Sequence, residues 1–331
     1  MNAFDIVYGN DEVKSLFSQC ITDNKLSHAY MLVGPNGCGK KTFVNALAQN
    51  IARHDQAEED AIARIATGHS PDVLSIPVEE KRIGIDTVRS FVSTVYLTPN
   101  ELDFKMYIFD KADRLTPQAQ NALLKIIEEP PKRVYIFLLC ENPASLLQTV
   151  RSRVIAVNMQ TFSEEQVRDY IKKSAPELSF SASDERLDFA LRISHGAIGA
   201  VKDLMDPENI EFEAFSKAKE MISALSRKNR GVSYFDFISL ILLYADNSEK
   251  LSILLKYLAL FYRDILSAQN SDEAEIITLT EDEAVRFASV FPISSVLDVL
   301  DTITEVTRNM AFNSNLVLAS TYLAENLWHR T

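Results

Sequence analysis

The chain has 331 residues, of which 47% are hydrophobic and 24% charged, and its formal net charge is -12. This composition is typical of a globular protein with two or three domains and excludes a disordered or fibrous chain. Because the negative charge repels phosphate backbones, we do not expect non-specific DNA binding by the chain alone. Three widely spaced cysteines argue against a disulfide framework and, with no apolar run long enough to span a bilayer, predict a cytoplasmic location without membrane attachment.

Short apolar runs alternate with helical patterns through the first half of the chain. The predicted strands are AYMLVG before a glycine-rich loop, VLSIP at 73–77, MYIFD at 106–110, VYIFLLC at 134–140 and VIAVNM at 154–159. Such a rhythm predicts an α/β fold, with a parallel sheet covered by helices on both faces.

The loop after the first strand, GPNGCGKKT at 34–42, has the glycine spacing of a phosphate-binding loop (P-loop). Its backbone N–H groups and the Lys40 ammonium are candidates to hold the phosphates of ATP or ADP. Lys41 stands where a Ser or Thr normally ligates Mg²⁺, and an ammonium cannot be a metal ligand. The sequence therefore predicts no metal site here, although nucleotide binding without turnover stays open.

The third predicted strand ends in Asp110, as in a Walker B segment, where an aspartate orders the metal. The next position, normally a glutamate that polarises the attacking water, is Lys111. An ammonium can neither accept a proton nor orient a water for attack, so we expect no hydrolysis. The candidate nucleotide-binding residues are Gly34, Asn36, Gly37, Gly39, Lys40, Thr42 and Asp110.

The pattern becomes helical after residue 161. Ser163 and Gln166 have the spacing of a capping box at the start of the first helix. We predict three domains: an α/β P-loop domain at 1–161, a small helical domain at 162–207 and an all-helical domain at 208–331. The last carries apolar stripes suited to packing against other helices or other subunits.

Two further segments, NALLKIIEEPP at 121–131 and TVRSRV at 149–154, resemble the clamp loaders of DNA replication, within the AAA+ class. NKLSHAYMLVGP at 24–35 and GHSPDV at 68–73 are similar to the bacterial delta-prime branch of that family. The resemblance covers most of residues 5–200 and continues weakly in YLALFYRDIL and in NMAFNSNLVL at 309–318.

The resemblance implies a RecA-like AAA+ module, a helical lid and a helical collar that joins five subunits in a ring. It implies gamma/tau motor subunits and a delta subunit as partners, and a ring that loads a sliding clamp on primed DNA. Arg153 matches the family's arginine finger, a catalytic residue that acts in trans on the ATP site of the neighbouring subunit.

Departures from the family pattern favour a non-hydrolysing subunit. Gly199 stands where motor subunits carry a γ-phosphate-sensing arginine. The sensor segment after the fourth strand reads Cys140-Glu141-Asn142, in which both Cys140 and Asn142 are candidates for the sensor position. Many relatives insert a four-cysteine zinc module after the P-loop helix, but residues 51–70 contain no cysteine, so we expect no zinc.

Three functions are compatible with the P-loop of this sequence. The favoured one is a stationary ring subunit that requires no cofactor of its own. The alternative is an ATP-hydrolysing motor subunit, against which Lys41 and Lys111 argue. A P-loop kinase or an unrelated NTPase finds no support in the segments at 121–131 and 149–154.

Overall fold

A computed structural model of the chain describes residues 2–76, 82–174, 184–228, 231–242, 244, 246–270, 275–310 and 315–331. It contains two compact units, one formed by Met1–Val167 with Gly196–Ala200 and the other by Arg168–His195 with Val201–Thr331. The three-domain division with boundaries after residues 161 and 207 stays a prediction.

A five-stranded parallel sheet lies at the centre of the first unit, as the sequence predicts. The strands are β1 (Ala29–Val33), β2 (Val73–Ser75), β3 (Lys105–Phe109), β4 (Val134–Cys140) and β5 (Ile155–Asn158), in the order β2-β3-β4-β1-β5. The bounds of some strands differ from the predicted ones. β2 ends at Ser75, and Pro77 lies outside the described residues, while β3 lies one residue earlier than predicted, so that Asp110 follows the strand. β5 is shorter at both ends than the predicted 154–159.

Helices cover both faces of this sheet because successive residues of a buried strand point to opposite sides. On β1, Leu32 packs in one hydrophobic cluster and Met31 in the other. The first cluster receives side chains from α1 (Asp11–Thr22), α2 (Lys40–His54) and α3 (Glu59–Thr67). The second receives side chains from α4 (Ile85–Thr94), α5 (Pro117–Glu128) and α6 (Gln148–Arg151).

All elements that the structure describes after Asn158 are helices. The first begins at the predicted capping box, where Gln166 N donates to Ser163 Oγ at 3.3 Å and Ser163 N donates to Gln166 Oε1 at 2.9 Å. The helices are α7 (Glu164–Ser174), α8 (Asp184–Ile193), α9 (Ile198–Met205), α10 (Glu211–Leu225), α11 (Tyr234–Leu242), α12 (Ser248–Asn270), α13 (Glu281–Ala288), α14 (Ile293–Met310) and α15 (Leu316–Arg330).

An aromatic cluster forms part of the core of the second unit. Phe189 of α8 is fully buried, and its ring centroid lies 4.5 Å from that of Phe215 and 5.7 Å from that of Tyr257. Among the described residues no single helix is long and apolar enough to cross a membrane. Of the described helices, only α13 and α14 taken together, with a 108° bend between them, meet that criterion of length and composition. Residues 311–314 of the NMAFNSNLVL stretch lie outside the described residues.

Candidate functional site

The candidate site lies where the parallel strands end at one edge of the sheet. Gly34, just after β1, donates its N–H to the carbonyl of Cys140 at the end of β4, at 3.1 Å. The loop then turns through Gly37 and Gly39, whose φ angles of 79° and 91° lie in the left-handed region that favours glycine. Helix α2 begins at Lys40, so its first-turn N–H groups have no partner inside the helix and can bind an anion.

Lys40 is folded back into the loop that precedes it. Its ammonium donates to the carbonyl oxygens of Gly34 at 2.6 Å and Pro35 at 2.9 Å, and the residue is 9% exposed. A phosphate held at the start of α2 would have to compete with these carbonyls for the ammonium. The loop therefore has the donors that a phosphate group requires, with the lysine already engaged.

A second segment packs directly on the loop. Gly199 donates its N–H to the carbonyl of Gly37 at 2.8 Å. A Cβ on Gly37 would meet Ala200 N at 2.3 Å, and one on Gly199 would meet Gly37 O at 2.8 Å. The loop and residues 196–200 therefore touch backbone to backbone, and an arginine at position 199 does not fit this packing.

Lys41 and Asp110 form an ion pair at the same edge of the sheet. Lys41 Nζ lies 4.0 Å from Asp110 Oδ2, and Asp110 Oδ1 accepts a hydrogen bond from Lys111 N at 3.0 Å. The carboxylate that would order a metal thus has an ammonium beside it. The sequence indicated Lys41 only as a missing metal ligand; its opposite charge to Asp110 was the signal for this pairing.

The residues after β4 are held by Asp113. Its carboxylate accepts the N–H of Glu141 at 2.9 Å and the N–H of Asn142 at 2.9 Å. The side-chain oxygen of Asn142 accepts the N–H of Ala144 at 2.9 Å, which caps the short turn that follows. Burial raises the pKa of the Cys140 thiol to about 11, an effect that Asp113 increases and Lys40 opposes. Cys140 is therefore a neutral group at the end of β4.

The structure brings together most of the predicted nucleotide-binding residues. The loop contains Gly34, Gly37, Gly39 and Lys40. Asp110 is joined to the start of α2 by its ion pair with Lys41. Asn36 and Thr42 are exposed, at the tip of the loop and on the first turn of α2. The donors fit a phosphate group, whereas the ammonium beside Asp110 does not fit a divalent cation.

Arg153 lies between α6 and β5, and its partners are not residues of the P-loop. Its Nε lies 2.6 Å from Glu128 Oε1, and its Nη1 donates to Thr149 O at 3.0 Å and Ser152 Oγ at 3.2 Å. The Arg153 side chain is 41% exposed. Sequence reasoning missed Glu128, although it belongs to the NALLKIIEEPP segment that carries the family resemblance.

The histidines make local contacts. His28 Nε2 lies 2.7 Å from the carbonyl oxygen of Ile127, and His54 Nδ1 lies 3.4 Å from Asp55 Oδ1. Within the part of the chain that the structure describes, no group of three or more His, Cys, Asp or Glu side chains is placed to hold a metal ion.

A P-loop and a Walker B-type aspartate on a parallel sheet, followed by helices, define a RecA-like AAA+ fold. Residues 9–163 match the family model described as "DNA polymerase III, delta subunit". Over these residues the chain is similar to the clamp-loader subunits of DNA polymerase III.

The chain is also similar to DNA polymerase III subunits that are named gamma and tau. The chain is 27% identical to the DNA polymerase III subunit gamma of Buchnera aphidicola over 209 residues, which are 61% of this chain and 57% of that protein. It is 21% identical to the subunit tau of Bacillus subtilis over 332 residues, which cover 94% of this chain and 59% of tau. The alignments thus span less than two thirds of either relative.

A solved structure supports the fold. The gamma subunit-related protein of Thermotoga maritima matches with a TM-score of 0.51 and 21% identity, over 97% of this chain and 100% of that one.

Proposed function

We propose that this chain is the delta-prime subunit of a replicative DNA polymerase III clamp loader, a ring member that does not hydrolyse ATP. The observation that carries the proposal is the ion pair between Lys41 and Asp110, with Lys111 in the place of the catalytic glutamate. A hydrolytic site needs an oxygen ligand for the metal and a group that orients the water. This chain offers an ammonium at each of those positions.

In the proposed ring, gamma/tau motor subunits and a delta subunit are the partners, and the complex places a sliding clamp on primed DNA. The role of this chain is to present Arg153 to the ATP site of the adjacent motor subunit. Arginine suits that role because its planar, permanently charged fork can stabilise the charge on a transferring phosphoryl group. Arg153 is 41% exposed and lies in a connection that follows a short helix, which supports this assignment.

Nucleotide binding without turnover is compatible with the same proposal. The first-turn N–H groups of α2 and the Lys40 ammonium are the groups that would hold the phosphates of ATP or ADP. Bound nucleotide would supply negative charge that these donors neutralise. The proposed subunit requires neither a catalytic metal nor a structural zinc for its role in the ring.

The alternative function, an ATP-hydrolysing motor subunit, has one observation in its favour. The relatives from Buchnera aphidicola and Bacillus subtilis are named gamma and tau. The residues that hydrolysis requires argue against it, because Lys41, Lys111 and Gly199 each replace a group of the motor site.

The proposal is tested in a complex reconstituted with motor and delta subunits, the sliding clamp and primed DNA. We expect Arg153→Ala to leave assembly unchanged and to lower stimulated ATP hydrolysis and clamp loading. An arginine finger contributes on the order of 10³ to 10⁵ in rate at its own site. The loss of total turnover should be partial, because only one of several motor sites faces this chain.

Arg151→Ala is the matched control, since Arg151 has the same charge two residues earlier at the end of α6. We expect the Arg151→Ala complex to load clamps at close to the wild-type rate. A complex with Arg153→Ala that hydrolyses ATP and loads clamps like the wild type would show that the trans-acting role is wrong.

A further inference from the structure

Two of the three nitrogens of the Arg153 guanidinium, Nε and Nη1, contact other residues of the chain. Glu128 Oε1 forms an ion pair with Nε at 2.6 Å, while Nη1 donates hydrogen bonds to Thr149 O and Ser152 Oγ. Arginine carries five N–H donors in a rigid plane, two of them on Nη2. Among the described residues Nη2 donates no hydrogen bond, so an incoming acceptor can bind this nitrogen while Glu128 stays beside Nε.

Glu128 is itself well anchored. It is the last residue of α5, and the preceding Ile127 is 1% exposed in the core of the first unit. The carbonyl of Ile127 is additionally bound by His28 Nε2 at 2.7 Å. The carboxylate therefore projects from a fixed helix end, whereas Arg153 projects from a connection between elements.

A long arginine side chain on a connection has many rotamers, and holding it in one of them costs conformational entropy. If the arginine adopted that rotamer only on reaching a neighbouring ATP site, the lost conformational entropy would add to the activation free energy of hydrolysis. A carboxylate that already holds Nε removes part of this cost before the neighbour arrives. The backbone and hydroxyl contacts to Nη1 act in the same direction.

We infer that Glu128 is the positioning residue of Arg153, holding its Nε edge so that Nη2 points out for a γ-phosphate of the neighbouring subunit. The inference rests on the proposed function, in which Arg153 acts in trans. It goes beyond that function because it assigns a role to a second residue in this chain. A merely stabilising ion pair is the competing explanation, and pairs as exposed as this one contribute little to folding.

The two explanations differ in what the loss of Glu128 does to catalysis. The test uses the reconstituted complex and measures stimulated ATP hydrolysis with Glu128→Gln, Arg153→Ala and the double variant. The measured quantity is the Arg153-dependent turnover, defined as the wild-type kcat minus the Arg153→Ala kcat. We expect Glu128→Gln to lose more than half of it with an unchanged KM for ATP, and the double variant to equal Arg153→Ala.

Glu129→Gln is the matched control, since it makes the same chemical change one residue further along, where no side-chain partner is described. We expect this variant to keep the full Arg153-dependent turnover. Glu128→Asp keeps the charge on a shorter side chain, and we expect it to recover part of what Glu128→Gln loses. Circular dichroism and gel filtration establish that each variant folds and assembles.

The outcomes separate this inference from the function on which it rests. If Arg153→Ala lowers turnover and Glu128→Gln does not, the positioning role is wrong and the arginine finger stands. A Glu128→Gln complex that is faster than the wild type would mean that the carboxylate competes with phosphate, which also overturns the inference. A further loss in the double variant, or a change in KM alone, would overturn it too. No effect of Arg153→Ala would instead show that the trans-acting role in the proposed function is wrong.

Discussion

Lys41 Nζ lies 4.0 Å from Asp110 Oδ2, so the first turn of the P-loop helix and the end of β3 are joined by an ion pair. In a hydrolytic site a divalent cation lies between these two elements and bridges them to the phosphates. Here one ammonium neutralises part of the aspartate charge without providing an oxygen ligand. The ion pair therefore places an ammonium where the proposed loss of hydrolysis would need a metal ligand to be missing.

The isolated chain should therefore hydrolyse ATP no faster than background. We expect wild type and Lys40→Ala to be indistinguishable in a steady-state phosphate-release assay with Mg²⁺ present. Turnover on the order of 1 per second or more that disappears in Lys40→Ala would identify the chain as a motor subunit.

Residual nucleotide binding should depend little on Mg²⁺. The donors that remain are the first-turn N–H groups of α2 and the Lys40 ammonium, which at present donates to Gly34 and Pro35. Calorimetric titration of ATP should give similar affinities with Mg²⁺ and with EDTA, and a weaker one for Lys40→Ala. Tight binding that requires Mg²⁺ would contradict the role assigned to Lys41.

The sheet and the P-loop could be predicted from the sequence because each depends on local pattern. Runs of apolar residues such as 134–140 are typical of buried parallel strands, and the glycine spacing at 34–39 fixes the loop. The capping box at Ser163 and Gln166 is equally local, since its two hydrogen bonds join residues three apart.

The remaining parts of the site depend on contacts between residues distant in sequence. Gly37 and Gly199 are 162 positions apart in the sequence, and Glu128 at the end of α5 contacts Arg153 in the connection after α6. In the sequence Gly199 indicated only a missing sensor arginine. The structure adds the physical reason, because its backbone packs where a larger side chain would collide with Gly37.

The contact between Gly37 and Gly199 leads to a test of stability. A Cβ at position 199 would meet Gly37 O at 2.8 Å and Gly37 Cα at 3.0 Å, both of them backbone atoms. We expect Gly199→Ala to destabilise the chain by about 1–3 kcal/mol through overpacking, measured by urea denaturation. Gly84→Ala is the control, because a Cβ there meets nothing within 4 Å. Equal stabilities for the two variants would show that residues 196–200 move away from the loop at no cost.

The helical unit offers a matched pair of phenylalanines. Phe189 is fully buried against Phe215 and Tyr257, whereas Phe235 at the start of α11 is 78% exposed. We expect Phe189→Ala to cost about 3–5 kcal/mol of unfolding free energy, and Phe235→Ala to change it by about 0.5 kcal/mol or less. Thermal or urea unfolding followed by circular dichroism measures both. A small effect of Phe189→Ala would mean that α8 is not part of this core.

The buried thiol of Cys140 should make the stability of the chain fall at alkaline pH. Burial is the main cause that raises the pKa of this thiol from 9.0 to about 11, and the nearby Asp113 carboxylate acts in the same direction. Because the folded state binds this proton more tightly than the unfolded state, the contribution is complete below pH 9 and is lost as the pH rises towards 11. Urea denaturation between pH 8 and 11 should therefore show a shallower decline for Cys140→Ala than for the wild type. Cys20→Ala is the control for the loss of a thiol, since Cys20 is only partly buried. Parallel pH profiles for wild type and Cys140→Ala would show that Cys140 does not titrate with unfolding.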